Sequence, residues 1–161
     1  MKHNDLTVPV EEGLLNIRVG AIILRGGRVL MTTNDGVDYL YSVGGRVQFG
    51  ETAGEAAVRE AWEETGVHMN VDRLGFIHEN FFIGDSPRKR DQEVHEISFF
   101  YYMDVPEDFE PVCASFADGD KQERLEWVDP ATETRTFYPA FFKEELQHPC
   151  DTVKRIVTRE W

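Results

Sequence analysis

The stretch that decides the fold covers residues 44–67 and reads GGRVQFGETAGEAAVREAWEETGV. Four of its carboxylates, Glu55, Glu60, Glu63 and Glu64, fall within ten positions. Like charges three or four residues apart on a helix repel one another and weaken it. Their crowding directly after two glycines therefore indicates a purpose other than helix stability.

Local signals in this stretch predict one helix over about residues 53–65. Thr52 is a good N-cap, and Glu55 three residues later completes a capping box. Gly66 is the expected left-handed stop. The glycines at 44–45 predict a flexible turn, at which backbone can approach a ligand closely.

The helical period predicts two opposed faces. At about 100° per residue, one face carries three carboxylates: Glu60, Glu63 and Glu64. The opposite face carries three apolar residues that we expect to pack on a core: Val58, Ala61 and Trp62.

Two interpretations of the acidic face follow from the residues alone. Charge runs on helices usually mark a solvated surface. Alternatively, a bound divalent cation removes the repulsion, and oxygen ligands at this density suit Mg²⁺ or Mn²⁺. Arg46 and Arg59 favour the second interpretation, because an arginine fork can hold a carboxylate or a phosphate in place.

The spacing of the stretch matches a known pattern. It reads Gly45, five residues, Glu51, seven residues, and then REAWEETGV over residues 59–67. This resembles the Nudix box, GX5EX7REUXEEXGU, in which U is a bulky aliphatic residue. Every fixed position matches, and the one soft departure is Ala61 at a U position. A pattern this long is far more specific than a short glycine motif.

The resemblance implies a pyrophosphohydrolase that cleaves a nucleoside diphosphate linked to another moiety X, by water attack on phosphorus with Mg²⁺ bound, Mn²⁺ being able to substitute. It implies three carboxylate ligands and a carbonyl ligand for the metal: Glu60, Glu63, Glu64 and the backbone of Gly45. It further implies that Arg59 orients a box glutamate. Glu51 would support the site indirectly, through a water molecule or through a residue that holds the ligands. A purely structural role for Arg59 or Glu51 stays open.

The general base has several candidates. Within the box it is Glu64, and the family also uses carboxylates from outside the box. Those available here lie at a predicted strand start or in a predicted loop, where each could equally be a solvated surface group: Glu93, Glu96, Asp118, Asp120 and Glu123. A base must reach the attacking water by a hydrogen bond, which a sequence does not show.

Arginines supply the candidates for substrate binding. Arg88 and Arg90 belong to the only basic cluster of an acidic chain and could hold a terminal phosphate, although a solvated loop is the alternative. Arg18, on an early strand, and Arg46, inside the box, are further candidates for a substrate phosphate.

The rest of the chain predicts an α/β (α+β) fold with a mixed sheet. Apolar or alternating runs predict strands over residues 14–24, 28–33, 39–43, 75–83, 93–105 and 124–129. A second helix is predicted over 136–148, and an edge strand or docked tail after it. This order predicts helices packed on a sheet, and the resemblance implies a Nudix-like α/β/α sandwich in a single domain spanning 1–161.

Composition narrows the partners. Seventeen basic against 30 acidic residues give a net charge of −13, which disfavours nucleic acid and anionic membranes. Two cysteines without CxxC spacing and the lack of a long apolar run predict a cytoplasmic protein. We expect a nucleotide-type small-molecule substrate, and a homodimer through an edge in residues 1–24 stays open.

Alternatives to a hydrolase also stay open. One is a non-catalytic Nudix-fold module that binds a nucleotide and regulates a partner, although such a module does not need the complete box. An isomerase on the same fold is disfavoured by the complete box spacing. Nucleotide sugars, ADP-ribose-like compounds and (deoxy)nucleoside triphosphates are all possible substrates, with a weak preference for a nucleoside diphosphate derivative.

Overall fold

The computed structural model describes residues 3–85, 90–111, 116–117 and 121–161. Within these residues the chain forms a series of strands with two helices. In chain order they are β1 (Thr7–Pro9), β2 (Gly13–Ile22), β3 (Leu24–Arg25), β4 (Arg28–Asn34), β5 (Leu40–Arg46), α1 (Ala53–Thr65), β6 (Asn70–Ile83), β7 (Glu93–Asp104), β8 (Phe116–Ala117), β9 (Lys121–Val128), β10 (Phe137–Tyr138), α2 (Phe142–Glu145) and β11 (Lys154–Arg159).

The strands form one mixed sheet in the order β11-β6-β7-β2-β5-β4-β9-β8. The pairs β2/β7, β6/β11 and β5/β10 are parallel, and the remaining pairs are antiparallel. Three short strands lie outside this order: β1 pairs with β2, β3 with β4, and β10 with β5. The predicted mixed sheet is therefore confirmed. No helix among the described residues is long and apolar enough to cross a membrane.

Each face of the sheet packs on one of the helices, because side chains alternate between faces along a strand. Val19 and Ala21 of β2 pack with Ala57 and Ala61 of α1 in one core. Ile22, the next residue of β2, lies in a second core with residues of β6, β7 and α2, among them Phe76, Phe100 and Phe142. Helix, sheet and helix thus form the layers of the predicted sandwich.

Helix α1 begins and ends where the sequence predicts. The Thr52 hydroxyl accepts from the Glu55 amide at 3.1 Å, and the Glu55 carboxylate accepts from the Thr52 amide at 2.7 Å. Gly66 adopts φ 74°, and its N–H donates to the Trp62 carbonyl at 2.8 Å. Both helix ends are therefore satisfied by local sequence.

The predicted turn at Gly44 and Gly45 is wrong, because both glycines lie inside β5 and pair with β2. Their lack of a side chain instead permits close packing on both sides. A Cβ on Gly44 would overlap the Val19 carbonyl, and a Cβ on Gly45 would overlap the Glu60 carboxylate. Gly44 thus permits a close approach to β2, and Gly45 permits a close approach to an acidic residue of α1.

The prediction that Trp62 belongs to the core is also wrong. Trp62 is 47% exposed, and its ring stacks on His68 with centroids 4.7 Å apart. The buried face of α1 is instead formed by small residues: Ala56, Ala57, Ala61 and Thr65. The helix is therefore rotated relative to the predicted wheel, because small side chains permit the closer approach to the sheet.

The helix predicted over 136–148 is reduced to strand β10 followed by the single turn α2. Tyr138 precedes Pro139, and a residue before proline is biased towards extended backbone. Phe137 and Tyr138 accordingly pair with β5. Phe142 and Leu146 still reach the core, so their apolar spacing indicates burial rather than one long helix.

Two strand boundaries also differ from the predicted ones. Strand β6 begins at Asn70, before the predicted residue 75. Strand β9 begins at Lys121, so Glu123 lies on a strand and not in a loop. The closing tail is an edge strand, β11, which pairs in parallel with β6.

Candidate active site

Two acidic residues of α1, Glu60 and Glu64, lie beside the sheet, whereas Glu55 and Glu63 are exposed. Glu60 follows Ala56 by one helical turn, and Glu64 follows Ala57 by two turns, so both continue the buried stripe of α1. The Glu60 carboxylate lies directly over Gly45 of β5. The helix thus carries two carboxylates into the edge of the core.

Arg59 is the hub of the ion pairs around these carboxylates. Its Nε and Nη2 donate to the two oxygens of Glu51 at 3.1 and 2.7 Å. Its Nη1 donates to Glu60 at 2.9 Å and to Glu63 at 3.3 Å. Nη2 also donates to the Arg46 carbonyl at 2.9 Å. One side chain therefore ties α1 to the loop before it and to β5.

Glu51 is held in its ionised form. Burial raises its pKa, but hydrogen bonds from Arg59 and from the Gln48 amide at 2.8 Å outweigh burial, so the pKa lies below its ordinary value. A carboxylate fixed in this way orients the arginine fork. This geometry fits the supporting position predicted for Glu51.

Glu64 has the most perturbed carboxyl of the site. Burial, together with the charges of Glu60 and Glu123, raises its pKa from an ordinary 4.5 to about 9. The Gly44 amide and the charge of Arg18 act in the opposite direction and are weaker. Strongly perturbed acids in such surroundings are characteristic of functional sites.

Burial also raises the pKa of Glu60. The hydrogen bond and charge of Arg59 lower it, and the charge of Glu63 raises it again. Two neighbouring carboxyls thus have raised pKa values for the same physical reason, removal from water beside a like charge. A cation bound at this place would stabilise the ionised form of both carboxyls and so lower both pKa values.

The donor set fits a hard divalent ion. Oε2 of Glu64 is buried and has no hydrogen-bond partner among the described residues, and carboxylate oxygens are the ligands that Mg²⁺ prefers. No three His, Cys, Asp or Glu side chains within the described ranges are already gathered as a ligand set. Glu63 points to Arg59 instead, so it would have to turn from this arginine to bind a metal.

A second group of residues, outside the box, faces Glu64. The Tyr41 hydroxyl donates to Glu123 at 3.0 Å and accepts from the Asn34 amide at 3.3 Å. Burial is the main reason that the pKa of Tyr41 is raised, and the charges of Glu123 and Glu64 add to it. Tyr41 and Asn34 were not predicted; the signal available was the position of Tyr41 on the strand that enters the box.

The candidates for the base separate in space. Among those within the described residues, Glu123 is the one outside the box whose charge acts on Glu64. Glu96 accepts from Asn16 on the sheet face at 3.3 Å, and Glu93 lines an open acidic groove with residues 9–13. Asp118 and Asp120 lie outside the described residues.

Two of the predicted substrate arginines lie beside the box. Arg18 of β2 is paired with Arg46 of β5. Nη1 of Arg46 lies 3.8 Å from Oδ2 of Asp5. The side chain of Arg18 makes no hydrogen bond or ion pair with the described residues, although its charge lowers the pKa of Glu60 and Glu64.

The other two predicted substrate arginines, Arg88 and Arg90, follow β6 along the chain. Arg90 is exposed in the turn before β7. Arg88 lies outside the described residues.

The model of the NUDIX domain family matches residues 14–146, most of the chain. The chain belongs to the NUDIX family. This confirms the hydrolase class predicted from the box, and Nudix hydrolases generally use divalent metals. No curated protein matches the sequence.

Solved Nudix-type structures share the fold. A mutator MutT protein from Bacillus halodurans aligns with a TM-score of 0.57 at 18% identity, over 90% of this chain and 91% of that one. An ADP-ribose pyrophosphatase from Streptococcus suis aligns with a TM-score of 0.55 at 12% identity, over 89% and 98%. A MutT protein from Methanosarcina mazei aligns with a TM-score of 0.54 at 23% identity, over 86% and 94%.

Proposed function

We propose that this Nudix hydrolase is a Mg²⁺-dependent pyrophosphohydrolase that cleaves a nucleoside diphosphate derivative. The observation that carries the proposal is the buried Glu64 carboxyl, with one oxygen unpartnered and a pKa raised to about 9. A lone buried carboxylate costs free energy, and a divalent ion is the partner that would remove this cost. Mn²⁺, a similar hard ion, would substitute.

The ligands we propose are Glu60, Glu63, Glu64 and the Gly45 carbonyl. The bound ion would neutralise the diphosphate and lower the pKa of the attacking water. Arg59 would keep its contacts with Glu51 and Glu60 and so position the ligands.

The reaction itself is a displacement at phosphorus. The water oxygen forms a bond to phosphorus, the bond from phosphorus to the bridging oxygen breaks, and the water proton passes to a carboxylate. We propose Glu64 or Glu123 as the acceptor of this proton, because the charge of Glu123 acts on Glu64. Arg18 and Arg46 would hold the non-bridging phosphate oxygens, since an arginine fork matches phosphate.

The role of Glu123 can be separated from that of Glu64. Tyr41 fixes the Glu123 carboxylate by a 3.0 Å hydrogen bond. If Glu123 accepts the proton, Glu123→Gln should lower kcat by about 10²–10⁴-fold and remove the acidic limb of the pH profile, with metal affinity kept. Loss of metal affinity in this variant would show instead that Glu123 is a ligand.

The structural neighbours named above are MutT proteins and an ADP-ribose pyrophosphatase. Their sequence identities are low enough that the likeness supports the fold and not a shared substrate. The substrate must therefore be found by assay. We would measure product release from nucleoside diphosphate sugars, ADP-ribose, dinucleoside polyphosphates and (deoxy)nucleoside triphosphates, each with Mg²⁺, with Mn²⁺ and with EDTA.

The chain offers a matched pair of variants for this assay. Glu64→Gln removes the proposed ligand, whereas Glu55→Gln makes the same change on the same helix at a residue that only caps it; glutamine can also complete a capping box. We expect metal-dependent turnover in wild type and Glu55→Gln, and its loss in Glu64→Gln. Tight nucleotide binding without any turnover would identify a regulatory module instead.

A further inference from the structure

A group of polar side chains outside the box lies on the same face of the sheet as the α1 carboxylates. Its members are Asn34 at the end of β4, Tyr41 in β5 and Glu123 in β9. Each lies an even number of residues along its strand from a side chain that packs in the α1 core, and such residues share a face. These core residues are Leu30, Val43 and Leu125. The group is therefore on the α1 side of the sheet, where the charge of Glu123 acts on Glu64.

Strand pairing brings the three side chains together. In the register of β4 with β9, Asn34 lies directly opposite Glu123. In the register of β4 with β5, Thr32 lies opposite Tyr41, so Tyr41 is a diagonal neighbour of Asn34. Opposite and diagonal neighbours on one face are close enough to interact. The regular pairing of three strands thus holds the group in place.

One backbone amide determines how the Asn34 side chain is turned. The Gly36 N–H donates to Asn34 Oδ1 at 2.8 Å. Because a backbone N–H can only donate, the atom that it meets is the side-chain oxygen, and the NH₂ group of Asn34 points the other way. Asn34 Nδ2 accordingly donates to the Tyr41 hydroxyl at 3.3 Å. The turn after β4 therefore fixes the orientation of the Asn34 amide.

The Tyr41 hydroxyl transmits this direction to Glu123. A hydroxyl has one proton to donate, and the Tyr41 oxygen already accepts from Asn34. Its proton is therefore directed to Glu123 Oε1, which lies 3.0 Å away. Asn34 is only 8% exposed, so water competes little for its amide. The series from Gly36 through Asn34 and Tyr41 to Glu123, here called the hydrogen-bond relay, has a single direction.

The relay ends on one of the two candidates for the acceptor of the water proton. A glutamate side chain has several rotatable bonds, whereas a base must stay within hydrogen-bond reach of the water that it deprotonates. A hydrogen bond to a carboxylate is stronger than one between neutral groups, so the Tyr41 hydroxyl restrains the Glu123 side chain well. Glu123 is the acceptor in this contact, and an acceptor is what the reaction requires.

We propose that Asn34 and Tyr41 are positioning residues of the hydrolytic reaction, which act by presenting Glu123 as the acceptor of the water proton. This inference rests on the proposed function and deepens it, since it gives a role to two residues outside the box. It also selects Glu123 over Glu64 as the acceptor, because the relay ends on Glu123 and Glu64 is a proposed ligand of the metal.

The first test removes one hydroxyl group. Tyr41→Phe keeps the ring and loses the donor to Glu123, so kcat for the best substrate of the panel above should fall about 10–100-fold. KM and the Mg²⁺ affinity measured by calorimetry should stay near the wild-type values. Tyr101→Phe is the matched control, because Tyr101 packs against the α1 core and its hydroxyl makes no hydrogen bond with the described residues. A wild-type kcat in Tyr41→Phe would overturn the proposal.

The second test determines whether Tyr41 acts through Glu123. In Glu123→Gln the proton acceptor is already lost, so adding Tyr41→Phe should lower kcat little further. Residues that act as a unit show such non-additive losses. If the second substitution instead lowers kcat by the same factor as it does in wild type, Tyr41 acts on another group and the proposal is overturned.

The third test reverses the relay while keeping the shapes of its members. Asn34→Asp retains an oxygen for the Gly36 N–H but offers the Tyr41 hydroxyl an acceptor in place of a donor. The tyrosine proton would be drawn away from Glu123, and kcat should fall as in Tyr41→Phe. The added charge is controlled by making the same change in the Tyr41→Phe variant, where kcat should fall little further. Equal losses with and without the hydroxyl would show an effect of charge alone and overturn the relay.

Melting temperatures in EDTA separate this inference from the proposed function, because they need neither metal nor turnover. Tyr41→Phe, Glu123→Ala and the double variant form a cycle, and a relay requires the double variant to lose less than the sum of the single losses. If wild type cleaves nothing but shows this coupling, the hydrolase proposal fails and the orientation of Glu123 by Tyr41 stands. With turnover but no coupling, the relay fails and the hydrolase proposal stands. Without either, both proposals fail.

Discussion

Replacing Glu64 by glutamine should stabilise the metal-free protein while abolishing its activity. The folded state raises the pKa of this carboxyl from 4.5 to about 9, mainly by burial. A carboxyl with a raised pKa binds its proton more tightly in the folded than in the unfolded chain, so its contribution to stability is full below pH 4.5 and is lost as the pH rises towards 9. Glutamine does not titrate and is free of this loss.

The magnitude follows from the pKa difference. Between pH 4.5 and 7.5 the free energy of unfolding of wild type falls by about 1.4 kcal/mol per pH unit relative to that of Glu64→Gln. The total over this range is about 4 kcal/mol at most. For a chain of this length each kcal/mol corresponds to about 2–4 °C in melting temperature. Glu64→Gln in EDTA should therefore melt up to about 8–16 °C above wild type at pH 7.5, and near wild type at pH 4.5.

We would measure this difference by thermal melts at several pH values in EDTA. Glu55→Gln is the control for the loss of a charge from α1. Added Mg²⁺ at a concentration of 100 times its Kd should stabilise wild type by about 2.7 kcal/mol and so raise its melting temperature. The melting temperature of Glu64→Gln should rise much less. A melting difference between Glu64→Gln and wild type that is the same at pH 4.5 and 7.5 would refute the reasoning, because a solvated carboxylate shows no such dependence.

Other substitutions test the remaining parts of the site and the helix. Arg59→Lys keeps the charge but loses the fork that holds Glu51, so metal affinity measured by calorimetry should fall about 10–100-fold; unchanged affinity would show that the fork does not position the ligands. Thr52→Ala removes the helix cap and should lower the free energy of unfolding by about 1 kcal/mol in denaturant titrations, with kcat unchanged. Trp62→Ala should cost less than about 1 kcal/mol, since the ring is half exposed and stacks only on a histidine; a loss of several kcal/mol would place this residue in a core.

The parts of the fold that local sequence controls were predictable. Helix α1, its capping box and its glycine stop each depend on residues within a few positions of one another. Apolar runs and the alternation of apolar with polar residues predicted most of the strands. The orientation of α1 was not predictable in this way. The wheel placed Trp62 inside because it is apolar, but the helix approaches the sheet through Gly45 and the alanines of α1, which permit a contact too close for tryptophan.

The non-local part of the site was beyond the sequence for a different reason. Tyr41 and Glu123 meet because β4 lies between β5 and β9 in the sheet, and strand order is a property of the whole chain. The pairing of Arg18 with Arg46 has the same origin. The box specifies which residues carry charge, whereas the sheet decides which distant residues they meet.

The rotation of α1 explains why the crowded carboxylates can serve chemistry. On a solvated face, one of the two interpretations of the sequence, Glu60 and Glu64 would be hydrated and screened, and a metal would gain little by replacing water. Packed beside Ala56 and Ala57, they are removed from water, and their raised pKa values express the free energy that a cation can recover. Arg59 neutralises part of this charge through Glu51 and Glu60 but leaves Oε2 of Glu64 unpartnered among the described residues. The same small residues that allow the helix to pack closely thus create the unsatisfied charge, so a bulkier residue at Ala57 should move Glu64 towards water and weaken metal binding together with stability.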